Sequence, residues 1–162
     1  MTVKIRRIEA RDEPRWRELF DGYTRFYGRD PDRAQADHNW RRILDASSVV
    51  AAIVAESQGE VVGIANYLTH ENTLTLAPVC YLQDLYVDPA CRARGTGKAL
   101  IDWLVGEMHA RGWAQLYWNT KQDNYRARGL YDKYTLESGF VRYILYNSSQ
   151  QAMKPSHRGE SP

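Results

Sequence analysis

Residues 81–108 read YLQDLYVDPACRARGTGKALIDWLVGEM, and the order of features in this stretch decides the fold. Leu82, Leu85 and Val87 are apolar, with Gln83 and Asp84 between them, which is the pattern of a strand. Asp88-Pro89 ends it, because proline offers no N–H to a ladder and fixes its own φ. Residues 91–97, CRARGTG, form a short loop that is both basic and glycine-containing. Leu100, Trp103, Leu104 and Met108 then recur at helical spacing. A strand, a basic glycine loop and a helix present bare backbone N–H groups to an anion, with the positive end of a helix dipole behind them. The arrangement predicts a phosphate-binding site. A plain glycine turn with solvated arginines is the alternative reading of the same residues.

Upstream, Val3, Ile5 and Ile8 suggest a first strand. Asp12 can cap a helix that tolerates Pro14 in its first turn and carries Trp16, Leu19, Phe20, Tyr23, Phe26 and Tyr27 on one face. Gly28 ends that run. A second helix is expected over residues 34–44, then a hairpin of strands at 49–55 and 61–68 around Gln58-Gly59. Downstream, residues 116–118 read as a strand, 124 to about 137 as a helix weakened by Gly129, and 140–146 as a last strand. The expected order is β-α-α-β-β-β-α-β-α-β, a mixed α+β fold. Residues 1–146 are expected to form a single domain and 147–162 a flexible tail.

The chain has 162 residues, 22 Lys+Arg and 20 Asp+Glu, so its balance of +2 makes no case for nucleic acid or a membrane surface as partner. Cys80 and Cys91 lack metal-ligand spacing, and no metal site is expected. No signal peptide or run of spanning length is visible, which points to a cytoplasmic, reduced protein.

Three nucleotide-site readings compete at residues 92–98. A dinucleotide fingerprint needs a glycine where Leu100 stands, and a Walker loop needs a glycine at Arg92 and Ser or Thr at Ala99. What is left is Arg92-x-x-Gly95-x-Gly97, a tight turn feeding a helix. This stretch resembles the acetyl-CoA-binding motif of the Gcn5-related N-acetyltransferases, Gln/Arg-x-x-Gly-x-Gly/Ala. A second segment agrees: Asn124, Ala127, Leu130 and Tyr131 stand at the spacing of the family's later motif. The run from Tyr131 to Gly139-Phe140 is one helical turn longer than in many members, and resembles the ending of the histone and polyamine acetyltransferase branch.

The resemblance implies a three-layer α/β/α fold, acetyl-CoA (coenzyme A) as cofactor, and a homodimer. It implies that Arg92, Ala93, Arg94, Gly95, Thr96, Gly97 and Lys98 form the loop and helix start that hold the pyrophosphate. Leu85, Tyr86 and Val87 would pair with the pantetheine arm, one of their N–H groups polarising the thioester carbonyl. Asn124 would contact the cofactor arm, and Tyr131 would sit by the sulfur and protonate the departing thiolate. A phenol near ~10 suits a thiolate whose acid is near ~8.5.

Asp84 is the candidate base, on a strand where the family often carries an acid. An ordinary Asp near ~3.9 cannot deprotonate an amine near ~10.4 unless burial raises it or a water chain intervenes. A strand-end surface carboxylate fits Asp84 equally well, and desolvation of the amine could act without a dedicated base. Tyr23, Tyr27, Tyr67, His70, Gln83 and Trp118 are candidates for the acceptor pocket, with His38 and Asn66 beside them. The reading is direct acetyl transfer to a primary amine. The acceptor is either a small molecule, a polyamine or amino-acid-like compound, or a protein lysine or N-terminus. A non-catalytic acyl-CoA-binding domain is the rival.

Overall fold

The computed structural model describes residues 3–92 and 94–147. Five strands form one sheet in the order β1-β2-β3-β4-β5: Lys4–Arg7, Val50–Ser57, Glu60–His70, Val79–Val87 and Leu116–Trp118. The first four are antiparallel neighbours, while β5 runs parallel to β4. The parallel pair needs a crossover, and α3 (Thr96–Arg111) supplies it. Helices α1 (Glu13–Phe26) and α2 (Arg33–Leu44) pack on the other face of the sheet, and the short α4 (Tyr125–Tyr131) follows β5. The result is the expected mixed α+β sandwich.

Because both faces are covered, β2 and β3 are apolar at nearly every position rather than alternating. Ala52, Val54 and Ile64 pack with Trp16, Phe20 and Trp40 of α1 and α2. Ile53, Ala55 and Ala65 pack with Leu100, Ile101 and Leu104 of α3. The helix stripe expected from Trp16, Leu19 and Phe20 is buried against this sheet.

Two expectations fail at the C-terminal end. The last helix stops at Tyr131 rather than near residue 137, and residues 140–146 form no strand. Phe140, Tyr143 and Leu145 are exposed. The physical reason lies next door. β5 is three residues long, so its outer edge offers a short ladder to any added strand. Gly139 also takes a left-handed φ of 75° just before the segment. The expected tail from 148 onward lies outside the described residues.

Candidate active site

A β-bulge builds the site. Asn66 of β3 is opposite Asp84 and Tyr67 is opposite Leu82, so Gln83 is an extra residue in β4. Side chains alternate faces along a strand, and one inserted residue reverses the alternation. Cys80 and Leu82 therefore face α3, as do Leu85 and Val87 beyond the bulge, while Tyr86 packs with the α1–α2 core. Asp84 is turned to that same side, beneath α1.

Asp84 is buried there, and Asn66 Nδ2 donates to its Oδ2 at 3.0 Å. The indole N–H of Trp16 in turn donates to Asn66 Oδ1 at 3.0 Å. Burial pushes the Asp84 carboxyl up, and the hydrogen bonds from Asn66 and Tyr23 and the charge of Arg29 only partly oppose it. The carboxylate thus lacks a contacting cation among its partners. It lies at the wall of a cavity of about 460 Å³ bordered by α1, α2, β3 and β4.

The bulge has a second consequence. β5 pairs with β4 only from Cys80 to Leu82, and ends at Trp118. From Gln83 to Val87, β4 has β3 on one side and no strand on the other. A slot of about 20 Å³ opens at this splay, lined by Tyr23, Tyr27, Gln83, Leu85, Trp118 and Tyr131 among others. Tyr131 comes from the last residue of α4, and its ring lies 5.3 Å from that of Trp118. Burial moves its phenol up to about 12, so it stays protonated through the neutral range.

Past β4, the chain turns sharply. Asp88 accepts the N–H of Ala90 at 2.9 Å and pairs with Arg15 of α1, which fixes the 3₁₀ turn Pro89–Cys91. Arg92 Nε donates to Val87 O at 2.9 Å, and its guanidinium lies 5.1 Å from the Tyr86 ring centre. Tyr86 is pressed on α1 so closely that a Cβ at Gly22 would stand 2.7 Å from its Oη. Gly95 caps α3 with φ 80°, a left-handed conformation that only glycine adopts cheaply. No side chain caps this helix end. The helix follows the C-terminal end of β4 after a short turn and loop, and the first N–H groups of a helix have no intrahelical partner. Thr96 is buried, while Lys98 pairs with Asp102 at 2.7 Å. Arg94 is exposed, and Ala93 lies outside the described residues.

The other sequence candidates divide. The rings of Tyr23 and Tyr27 meet at 4.9 Å with their planes tilted by 58°, and both residues line both openings, as does Gln83, whose carbonyl accepts from Tyr23 Oη at 3.3 Å. Tyr67 borders the cavity, but its ring packs toward Trp113 and its hydroxyl meets Arg7, on the α3 side. His70 is at the far end of β3, bonded to Tyr117 Oη at 2.8 Å, and lines neither opening. His38 is exposed on α2 and lines neither. Asn124 Nδ2 donates to Thr120 Oγ1 at 3.1 Å just before α4. Arg29, Arg42 and Lys121 line the cavity although the sequence singled out none of them. They come from the end of α1, from α2 and from the loop after β5, and no spacing rule links three such places.

With this geometry in place, similarity to known proteins identifies the class. The sequence model of the Acetyltransferase (GNAT) family matches residues 14–135, and the chain belongs to that family. It is an acetyl-CoA-dependent N-acetyltransferase. The chain is 29% identical over 143 residues to the D-amino-acid N-acetyltransferase HPA3 of Saccharomyces cerevisiae, covering 87% of this chain and 89% of that protein. It is 40% identical over 72 residues to the [ribosomal protein bS18]-alanine N-acetyltransferase of Haemophilus ducreyi, covering 44% of this chain and 50% of that protein. A structure of AAC(6')-Iy in complex with a CoA-based bisubstrate analogue has the same fold, with TM-score 0.78 at 20% identity over 91% of this chain and 99% of that one.

Proposed function

We propose that the chain transfers acetyl directly to a small primary amine, with Asp84 as the base and Tyr131 as the acid. The observation that carries this reading is the position of the two groups on either side of one bulge. Asp84 borders the wide cavity and Tyr131 the narrow slot, and Gln83, Tyr23 and Tyr27 border both. An amine entering the cavity meets a carboxylate whose raised pKa narrows its gap to an ammonium.

The residues fit the cofactor. The edge of β4 along Leu85, Tyr86 and Val87 has no strand beside it, so apart from the Val87 carbonyl, which Arg92 Nε takes, it leaves ladder positions for the amides of the pantetheine arm. The uncapped start of α3, at Gly95, Thr96, Gly97 and Lys98, offers N–H groups to a pyrophosphate. Arg92 holds the turn by bonding Val87 O and stacking on Tyr86, so its role is in shaping the loop. When bound, acetyl-CoA supplies an acetyl group activated as a thioester. Tyr131, protonated at the slot beside the β4 edge, would donate its proton to the thiolate that leaves.

The cavity supports a small acceptor: it is closed on three sides by α1, α2 and the sheet, and its base is buried. The similarity to an alanine N-acetyltransferase acting on a ribosomal protein keeps a protein N-terminus as the second reading. The ending that resembles histone and polyamine acetyltransferases adds a third class of acceptor. A homodimer follows from the family resemblance, and a cytoplasmic location fits two cysteines that form no disulfide.

The test is thiol release from acetyl-CoA across a panel of amines and peptides. Tyr131→Phe is expected to lower kcat by about 10²-fold on the best acceptor. Equal kcat in the two proteins would remove Tyr131 from the mechanism. Acetyl-CoA binding with no acetylated amine or peptide would favour a non-catalytic domain.

A further inference from the structure

The charges around the acceptor cavity say what else the amine carries. Three cationic side chains line it, Arg29, Arg42 and Lys121, against one carboxylate, Asp84. Among the described residues none of the three forms an ion pair. Arg42 bonds the neutral Asn39, and Lys121 lies 5.6 Å from the ring of Tyr27. Arg29 is set in place by the backbone: Gly28 turns with φ 71° after α1, and the Arg29 N–H donates to Thr24 O at 3.1 Å. It acts on Asp84 through its field without touching it. Elsewhere most arginines are matched. Arg6 pairs with Asp12 and Glu56, Arg15 with Asp88 and Glu18, and Arg17 with Glu13 and Asp37. Arg33, Arg41, Arg126 and Lys133 also form no ion pair among the described residues, so what distinguishes the cavity is that three such cations share its wall with a single carboxylate.

Resting on the acetyl-transfer reading above, we propose that the acceptor is an amino carboxylate of amino-acid size. Its amine would sit at Asp84, and its carboxylate would be held by Arg29, with Arg42 and Lys121 adding positive field. A guanidinium matches a carboxylate with parallel hydrogen bonds, and partial burial strengthens the pair relative to one in water. The same arrangement selects against polyamines and aminoglycosides. Their additional ammonium groups would be placed against three cations, with a single acid to share. A peptide N-terminus also lacks the feature, because its own carboxyl is an amide.

Matched acceptors test this. Kinetics would be compared for an amino acid, its carboxamide, and the amine left when its carboxyl is removed, with spermidine and a short amidated peptide alongside. The amino acid is expected to exceed each partner by about ten-fold or more in kcat/KM. Arg29→Gln alters the field at Asp84 for every acceptor, so the readout is the difference between acceptors: KM should rise about ten-fold more for the amino acid than for its carboxamide. Equal or better turnover of the carboxamide, the polyamine or the peptide overturns the charge assignment while leaving acetyl transfer intact. Should no amine turn over, calorimetry still decides the matter: an N-acetyl amino acid should bind about ten-fold tighter than its methylamide. Equal binding of the two overturns the proposal.

Discussion

Asp12 and Asp84 are both shielded from solvent, at 5% and 9% exposure, but Asp84 lies deeper in the protein, and their surroundings drive them in opposite directions. Asp12 receives both guanidinium nitrogens of Arg6, at 2.7 and 2.9 Å, and the N–H of Glu9 at 2.8 Å. These bonds hold its carboxyl below the usual range. Asp84 accepts from the neutral Asn66 amide, has no cation in contact, and is raised by burial. Low exposure alone therefore does not mark a functional acid; depth and partner act together, burial leading at Asp84 and the Arg6 hydrogen bonds leading at Asp12. A matched charge makes a clamp between β1 and the turn before α1, and a neutral donor leaves a carboxylate with capacity to take a proton.

The comparison breaks most visibly at Asp84. Asp84→Asn should lower kcat/KM by about 10²- to 10⁴-fold. It should not lower the melting temperature at pH 8. The sign follows from linkage. A carboxyl raised above its unfolded value of ~3.9 weakens the fold increasingly as pH climbs through that window, and the penalty is absent in acid. The asparagine variant should match or exceed wild type in neutral thermal melts and lose any advantage near pH 3. A lower melting point at pH 8 would make Asp84 a structural residue.

Asp12 should behave in reverse. Asp12→Ala leaves Arg6 with Glu56 as its remaining carboxylate partner and is expected to cost about 2 kcal/mol in urea unfolding, with kcat of the folded fraction unchanged. Its contribution is present above ~3.9 and is lost as pH falls through its lowered folded value. Loss of kcat without loss of stability would contradict the division between the two acids.

Asn66→Ala sharpens the contrast. It removes a bond that favours the ionised Asp84 and leaves the Trp16 indole N–H unpaired. The acid limb of the pH–kcat/KM profile should move to higher pH. An unmoved limb would separate Asp84 from that titration. The smallest effect is expected at Gly95→Ala. The left-handed φ of 80° there costs an alanine about 1 kcal/mol, and KM for acetyl-CoA should rise by a comparable factor.

The turn from strand to glycine loop to helix was legible because local rules govern it. Proline ends β4 at Asp88, glycine permits the cap at residue 95, and the spacing of Leu100 and Leu104 shows the buried side of α3. The strand expected at 140–146 was misread for the converse reason. Its pattern is strand-like, but a strand needs a partner edge, and β5 is short. Residues along one element were likewise found together: Leu85, Tyr86 and Val87 share one open edge, and Tyr23 and Tyr27 share one face of α1.

The sequence by itself determined the strand, turn and glycine-capped helix start proposed to hold the cofactor, because such a segment is built from consecutive residues whose backbone conformations can be inferred one at a time. Tertiary structure decided the acceptor half. An extra residue at Gln83 turned Asp84 from the α3 side to the cavity, and an inserted residue is defined only by the strand opposite. Arg29, Arg42 and Lys121 are far apart in the chain, and only the packing of α1 and α2 on the sheet sets them around one carboxylate. Electrostatic fields depend on distance through space, and no local rule of sequence carries that distance.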